Sequence, residues 1–222
     1  MEALALPSVP MPVGAAGPWQ LTALPETRDE LLSIASALKA DPGRDLFLGD
    51  RATRASVIAA SQSGELARRR VVVFATHGLM AGEVAGLDQP ALAMAADAKD
   101  QGDPLQALLK LDDVLSLKLH ADWVVMSACN TGAADGQMGE ALSGLARGMF
   151  YAGARSLLLT HWAVESESAK RLTTTTFKAL AANPSYTKAQ SLREAMRVVS
   201  QMPGYEHPAF WAPFAIVGDG GR

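Results

Sequence analysis

The chain has 222 residues, 49% of them hydrophobic and 19% charged, with a formal net charge of −3 at pH 7. That composition fits one globular domain with a sizeable core and excludes a disordered segment. The weak acidity, with no basic block, excludes a nucleic-acid footprint; the single cysteine excludes an internal disulfide framework; and no apolar run reaches the eighteen or so residues of a membrane helix.

The N-terminus lacks the basic start of a secretory signal, so the default location is the cytoplasm. Residues 3–6 read as a first short strand. Residues 7–20 hold Pro7, Pro10, Pro12, Gly14, Gly17 and Pro18, which forbid regular structure. Residues 1–23 therefore form a strand and a loop that are part of the domain or lead into it, with 24–222 as the domain proper. From Glu26, the apolar positions Leu31, Leu32, Ile34, Ala35 and Leu38 recur at helical spacing, and Glu26, Asp29 and Glu30 crowd the start, where acids suit the helix dipole. Leu46 to Gly49 is a short strand, and Arg51 to Ala60 an amphipathic helix. Arg68, Arg69 and Arg70 read as a solvated entry to the strand 71–75.

After His77 and Gly78 the chain is rich in glycine and alanine. Ala91 to Ala95 reads as a small edge strand, 97–103 as a surface loop, and 105–117 as one or two short helices. The apolar run 123–127 is a buried strand that delivers Cys129, the only cysteine, to its rim. A helix follows over 138–151, with Gly144 and Gly148 predicting close packing against the sheet. Then come a strand over 156–160 ending in His161 and Trp162, a helix capped by Ser166 and running to Ala182, and a helix from about Thr187 to Val199. The last strand spans 210–218, with Pro213 restricting it to a sheet edge or bulge. Short apolar strands alternating with helices predict an α/β fold with a mainly parallel sheet covered on both faces.

In such sheets, functional groups gather beyond the carboxyl ends of the strands. His77, Cys129 and the His161–Trp162 pair are placed there. Two strands ending in His-Gly and in Cys suggest the two halves of a cysteine-nucleophile site, although unpaired cysteines commonly just pack. The sequence offers no zinc-ligand spacing and no phosphate-binding loop, so no metal or cofactor is expected.

Several motifs then occur in a fixed order: Leu24-Pro25-Glu26-Thr27-Arg28, Phe74-Ala75-Thr76-His77-Gly78, Leu119-His120-Ala121-Asp122-Trp123, Ser127-Ala128-Cys129-Asn130-Thr131-Gly132, Gly139-Glu140-Ala141-Leu142, Ala152-Gly153-Ala154-Arg155-Ser156, Trp162-Ala163-Val164 and His207-Pro208-Ala209-Phe210-Trp211. Their ordered set resembles the CHAT family, bacterial caspase-like cysteine peptidases often joined to TPR repeats. The resemblance implies a caspase-haemoglobinase fold with a mainly parallel six-stranded sheet, and hydrolysis of peptide bonds in a protein or peptide substrate. It implies Cys129 as the nucleophile, His77 as the general acid, and the backbone amides of Gly78 and Cys129 as oxyanion donors. Trp162 would line the substrate cleft.

Asp135, Glu140, Glu165 and Glu167 fall near the predicted rim and are candidates to contact a basic P1 side chain. For Glu165 and Glu167 the alternative is a helix start, which acids stabilise anyway. Asp122 and Asp135 are the acids considered as a third catalytic member. His161 is a second candidate base in a role that His77 already fills. The glycine-rich loops at 79–90, 96–104 and 132–138 are candidates for ordering on activation. A regulatory TPR or sensor partner, and a place in signalling or antiphage defence by cleavage of a gasdermin-like effector, are further implications of the resemblance. No membrane or direct nucleic-acid partner is expected, and the chain reads as an excised domain or a stand-alone protease. The rival reading from another class is a catalytically silent CHAT domain acting as a scaffold.

Overall fold

The computed structural model describes residues 2–5, 21, 24–97, 100, 102–127, 138–161 and 164–221, with the side chains of 2–5 and 138–143 excepted. The elements, in chain order, are β1 (Glu2–Ala5), α1 (Glu26–Ala37), α2 (Pro42–Asp45), β2 (Leu46–Leu48), α3 (Arg54–Gln62), β3 (Val71–Phe74), β4 (Gly78–Leu79), β5 (Ala91–Ala93), β6 (Leu108–Lys110), α4 (Leu111–Ser116), β7 (Trp123–Met126), α5 (Met138–Tyr151), β8 (Ser156–Thr160), α6 (Ser166–Ala182), α7 (Lys188–Val199) and β9 (Phe214–Gly218). The architecture is mixed α/β. The main sheet has the order β2-β1-β3-β7-β8-β9, parallel throughout except for β9, which closes its edge antiparallel to β8. Pro213 therefore stands just before an edge strand, where a missing N–H is tolerated.

The central strands are short apolar runs because both faces are covered. Successive side chains leave a strand on opposite sides, and the core divides accordingly. Val72, Phe74, Val124, Met126, Leu157 and Leu159 pack with α3, α4 and α5 through Val57, Val114, Leu145 and Met149. Val73, Trp123, Val125 and Leu158 pack with α1, α6 and α7 through Leu31, Ile34, Leu172, Phe177, Leu192 and Ala195. Trp123 meets Phe177 with ring centroids 4.9 Å apart.

Several local expectations are corrected. The 91–95 run is no edge strand: β5 is the middle of a small antiparallel sheet of order β4-β5-β6. The stretch 105–117, expected to hold one or two short helices, holds two, a helical turn at Pro104–Ala107 and α4, but between them lies the unexpected strand β6, with Leu108 and Leu109 fully buried. A short apolar run cannot be told from a helix by periodicity alone, and here the partner strand decides. The helix expected from Arg51 starts at Arg54, where Thr53 accepts the Ser56 N–H at 3.1 Å as N-cap. Gly148 packs against α4 rather than against the sheet: a Cβ there would meet Leu111 Cδ1 at 2.8 Å. Gly153 ends α5 at φ +112, with the Leu119 carbonyl oxygen 2.0 Å from where a Cβ would sit.

Of the three arginines before β3, Arg68 and Arg70 are solvated as expected, and Arg69 is not. Arg69 is ion-paired to the buried Asp45 at 2.7 Å. Arg68 pairs with Glu65, and Arg70 with Asp122.

Candidate active site

The site is built on the carboxyl ends of β3, β7 and β8. β3 stops at Phe74, and the chain then turns through Ala75, Thr76 and His77 into β4. Two hydrogen bonds pin that turn to β5: the Thr76 hydroxyl donates to the Ala93 carbonyl at 2.5 Å, and the Ala93 N–H donates to the His77 carbonyl at 2.9 Å. His77 is only 6% exposed. The small sheet therefore acts as a bracket for the histidine. Thr76 and Ala93 are positioning residues that sequence reasoning missed, because their link spans 17 positions.

The His77–Ala93 hydrogen bond also fixes the phase of the antiparallel ladder. Paired residues alternate between hydrogen-bonded and non-bonded pairs, so Gly78, opposite Leu92, falls in a non-bonded pair. Its amide points away from β5.

β7 lies beside β3 in parallel register, with Phe74 opposite Met126. The first N–H past β7, that of Ser127, donates to the Phe74 carbonyl at 3.3 Å. His77 and Cys129 each stand three positions past those paired residues. Their separation of 52 positions equals the register offset of the two strands. Cys129 itself lies outside the described residues, as do Asp135 and Trp162. His161 is exposed at the end of β8, and its N–H donates to the Pro213 carbonyl at 2.9 Å.

Beneath the end of β7 is a group the sequence did not single out. Glu30 of α1 is 2% exposed, and Thr173 Oγ1 of α6 lies 2.7 Å from its Oε1. Burial pushes its carboxyl above the usual carboxylate range, against the pull of Thr173, Ser127 and Lys170. Glu30 and Ser127 share a cavity of about 10 Å3 with Leu24, Thr27, Val164, Ser166 and Ala169. The signal for Glu30 was present. Thr27, Glu30, Leu31 and Ile34 share the buried face of α1, so this acid stands on the apolar stripe and not among the dipole-facing acids of the first turn, Glu26 and Asp29.

Glu140 lies on α5, with its side chain outside the described residues. Glu165, and not Ser166, is the N-cap of α6: its carboxylate accepts from the N–H groups of Glu167 at 3.1 Å and Ser168 at 2.8 Å. Glu167 is ion-paired to Lys170 at 2.6 Å and Arg171 at 2.8 Å. Asp122 precedes β7, at the opposite end of the sheet from His77, and pairs with Arg70 and Arg155. His207 Nδ1 accepts the Ala209 N–H at 3.1 Å and caps a short helical turn. Among the described residues, no group of three or more His, Cys, Asp or Glu could hold a metal ion.

A family model described as "CHAT domain" matches residues 3–219. The chain belongs to the CHAT domain family. That family is related to the caspase-like peptidases. A mouse (Mus musculus) protein named "Tetratricopeptide repeat protein 28" is 26% identical over 235 aligned residues, covering 94% of this chain and 9% of the mouse protein. The CHAT domain thus spans about a tenth of the length of that relative. No helix among the described residues is long and apolar enough to cross a membrane.

Proposed function

We propose that this CHAT domain is a cysteine endopeptidase with Cys129 as nucleophile and His77 as general acid. The observation that carries this reading is the match between the spacing of these two residues and the register of β3 on β7. Neighbouring strands lie about 4.8 Å apart, so equal extensions of paired strands end as neighbours. The chemistry asks for that arrangement. A Cys129 thiolate attacks the scissile carbonyl carbon and forms the C–S bond, and the resulting oxyanion is held by fixed N–H donors. As the C–N bond breaks, His77 delivers a proton to the leaving amine; water then hydrolyses the thioester. The outward-facing amide of Gly78 suits it as one oxyanion donor, with the Cys129 amide as the other.

The finer features of the reading rest on the family. They are the caspase-haemoglobinase arrangement of six strands, a cleft lined by Trp162, a cytoplasmic location, and regulated proteolysis in bacterial signalling or antiphage defence. The name of the mouse relative favours a TPR array as partner or neighbour. Of the acids proposed for P1 contact, Asp135 and Glu140 remain the candidates for a basic side chain, because Glu165 and Glu167 are engaged within α6.

The test is cleavage of a peptide library by the purified protein. Cys129→Ala and His77→Ala are each expected to lose turnover by at least about a thousandfold while keeping the thermal transition. Cleavage that persists in Cys129→Ala overturns the assignment.

A further inference from the structure

We propose that Glu30 is a positioning residue for the nucleophile: through its carboxyl, helix α1 couples the root of the segment that bears Cys129 to helix α6. The proposal rests on the cysteine-peptidase reading for its importance, but its geometry stands apart from it.

Three elements meet at this carboxyl. From α6, the Thr173 hydroxyl lies 2.7 Å from Glu30 Oε1 and 2.9 Å from the Ala169 carbonyl oxygen. A hydroxyl has one proton, so it cannot donate to both. Threonine within a helix commonly donates to the carbonyl four positions back. The Thr173 hydroxyl therefore serves either Glu30 Oε1 or the Ala169 carbonyl at any one time. Burial of Glu30 favours its neutral form, in which its claim on the Thr173 proton is weakest. Just past β7, the hydroxyl of Ser127 is buried and has no hydrogen-bond partner among the described residues, yet it is near enough to favour the charged form of Glu30. Between them the cavity has room for about one water molecule, and its polar lining comes from Thr27, Glu30, Ser127 and Ser166.

Ser127 stands two residues before Cys129, and Val164, on another wall of the cavity, two residues after Trp162. Glu30 thus shares a cavity with the roots of two segments proposed to carry the nucleophile and the cleft wall. The charged groups around it are sparse. Lys170 is the cation that acts on it, and Lys170 is held by Glu167 and influenced by Asp29 of α1. When Glu30 ionises, its charge has no ion-pair partner among the described residues, and the carboxylate draws both the Thr173 and the Ser127 hydroxyl as donors. Proton loss at Glu30 changes what holds Ser127, and so the reactivity of Cys129.

The experiment uses the only cysteine in the chain as its own reporter. The rate of alkylation of Cys129 by iodoacetamide is measured against pH for the wild type, Glu30→Gln, Glu30→Leu and Ser127→Ala, with thermal melts alongside. The wild-type profile is expected to show a second inflection above the ordinary carboxylate range. Glu30→Gln, which keeps shape and a donor, abolishes that inflection and extends to all pH the rate profile that the wild type shows below it. Ser127→Ala moves the inflection to higher pH, because it removes a group that favours the charged form. Glu30→Leu changes the rate on the order of 10- to 100-fold. If Glu30→Leu does not fold, the Glu30→Gln profile decides. A wild-type inflection that survives in Glu30→Gln, or the lack of one in the wild type, overturns the proposal. Failure of the peptidase reading looks different: His77→Ala would leave the alkylation of Cys129 unchanged, whatever Glu30 does.

Discussion

Two carboxyl groups in this domain are equally buried, at 2% exposure each, and behave in opposite ways. Asp45 lies at the end of the sheet where β3 and β7 begin, on the wall of a wide cavity of about 560 Å3. It meets the Arg44 and Arg69 guanidinium groups at 2.9 and 2.7 Å and accepts the Asp41 N–H at 2.9 Å. Those partners, Arg44 first, hold its carboxyl well below the usual carboxylate range. Glu30 lies at the end where the strands stop, in a closed niche, with hydroxyl neighbours instead of guanidinium groups, and burial pushes it up. Burial alone does not set the charge of a carboxyl; its partners do. The contrast separates a structural pole from a working pole. Near the chain entry of the sheet Asp45 and Asp122 are each paired with two arginines, whereas at the exit burial favours the neutral form of Glu30 beside the segment proposed to carry the nucleophile.

The strongest way to break this comparison is Asp45→Ala. It strips the half-buried Arg69 of its main partner and is expected to cost about 3–5 kcal/mol in urea unfolding. The folded fraction should retain wild-type Cys129 alkylation. A large loss of Cys129 reactivity in the folded protein would show that the two poles are not separate.

Stability against pH sharpens the contrast further, because the two groups have opposite signs. The folded-state pKa of Asp45 is depressed, so its stabilisation is present above the ordinary carboxylate value and is lost as pH falls below it. That of Glu30 is raised, so its favourable term is complete below the ordinary value and is lost as pH rises from there through the folded pKa. Asp45→Asn should flatten the acid limb of a melting-temperature profile. Glu30→Gln should gain on the wild type as pH rises across the Glu30 window. Profiles of both variants that parallel the wild type would refute the two assignments.

The smallest expected effect concerns a third carboxylate, at the working pole but engaged locally. Removing the α6 cap with Glu165→Ala should cost about 1 kcal/mol in a thermal or urea melt. If Glu165 only caps the helix, the cleavage-site profile on a peptide library stays as in the wild type. A specific loss of Arg or Lys at P1 would assign it to substrate.

Much of this layout was legible in the sequence. The bounds of α5 and β8, the break at Asn183-Pro184 and the cap of α7 at Thr187 follow from period, capping and breaker residues. Local signals misled where a residue had two local readings. Glu30 looked like one more acid at a helix start, and only its place on the buried face of α1 tells otherwise. Ser166 looked like the cap of α6, but the longer Glu165 side chain reaches the same N–H groups from one position earlier. Leu108 and Leu109 looked helical because an apolar pair has no period of its own.

The sequence by itself determined which short apolar runs would be strands, that they would be buried on both faces, and that a histidine and the only cysteine would stand just past two of their ends. Those are properties of neighbouring residues, set by side-chain period and backbone preference. Tertiary structure decided the strand order, the offset of 52 that matches His77 to Cys129, the bracket of Ala93 on the histidine turn, and the fate of each buried acid. The physical reason is that a register or a pKa belongs to groups far apart in the chain, and only packing brings Thr173 to Glu30 across 143 positions, or Arg69 to Asp45.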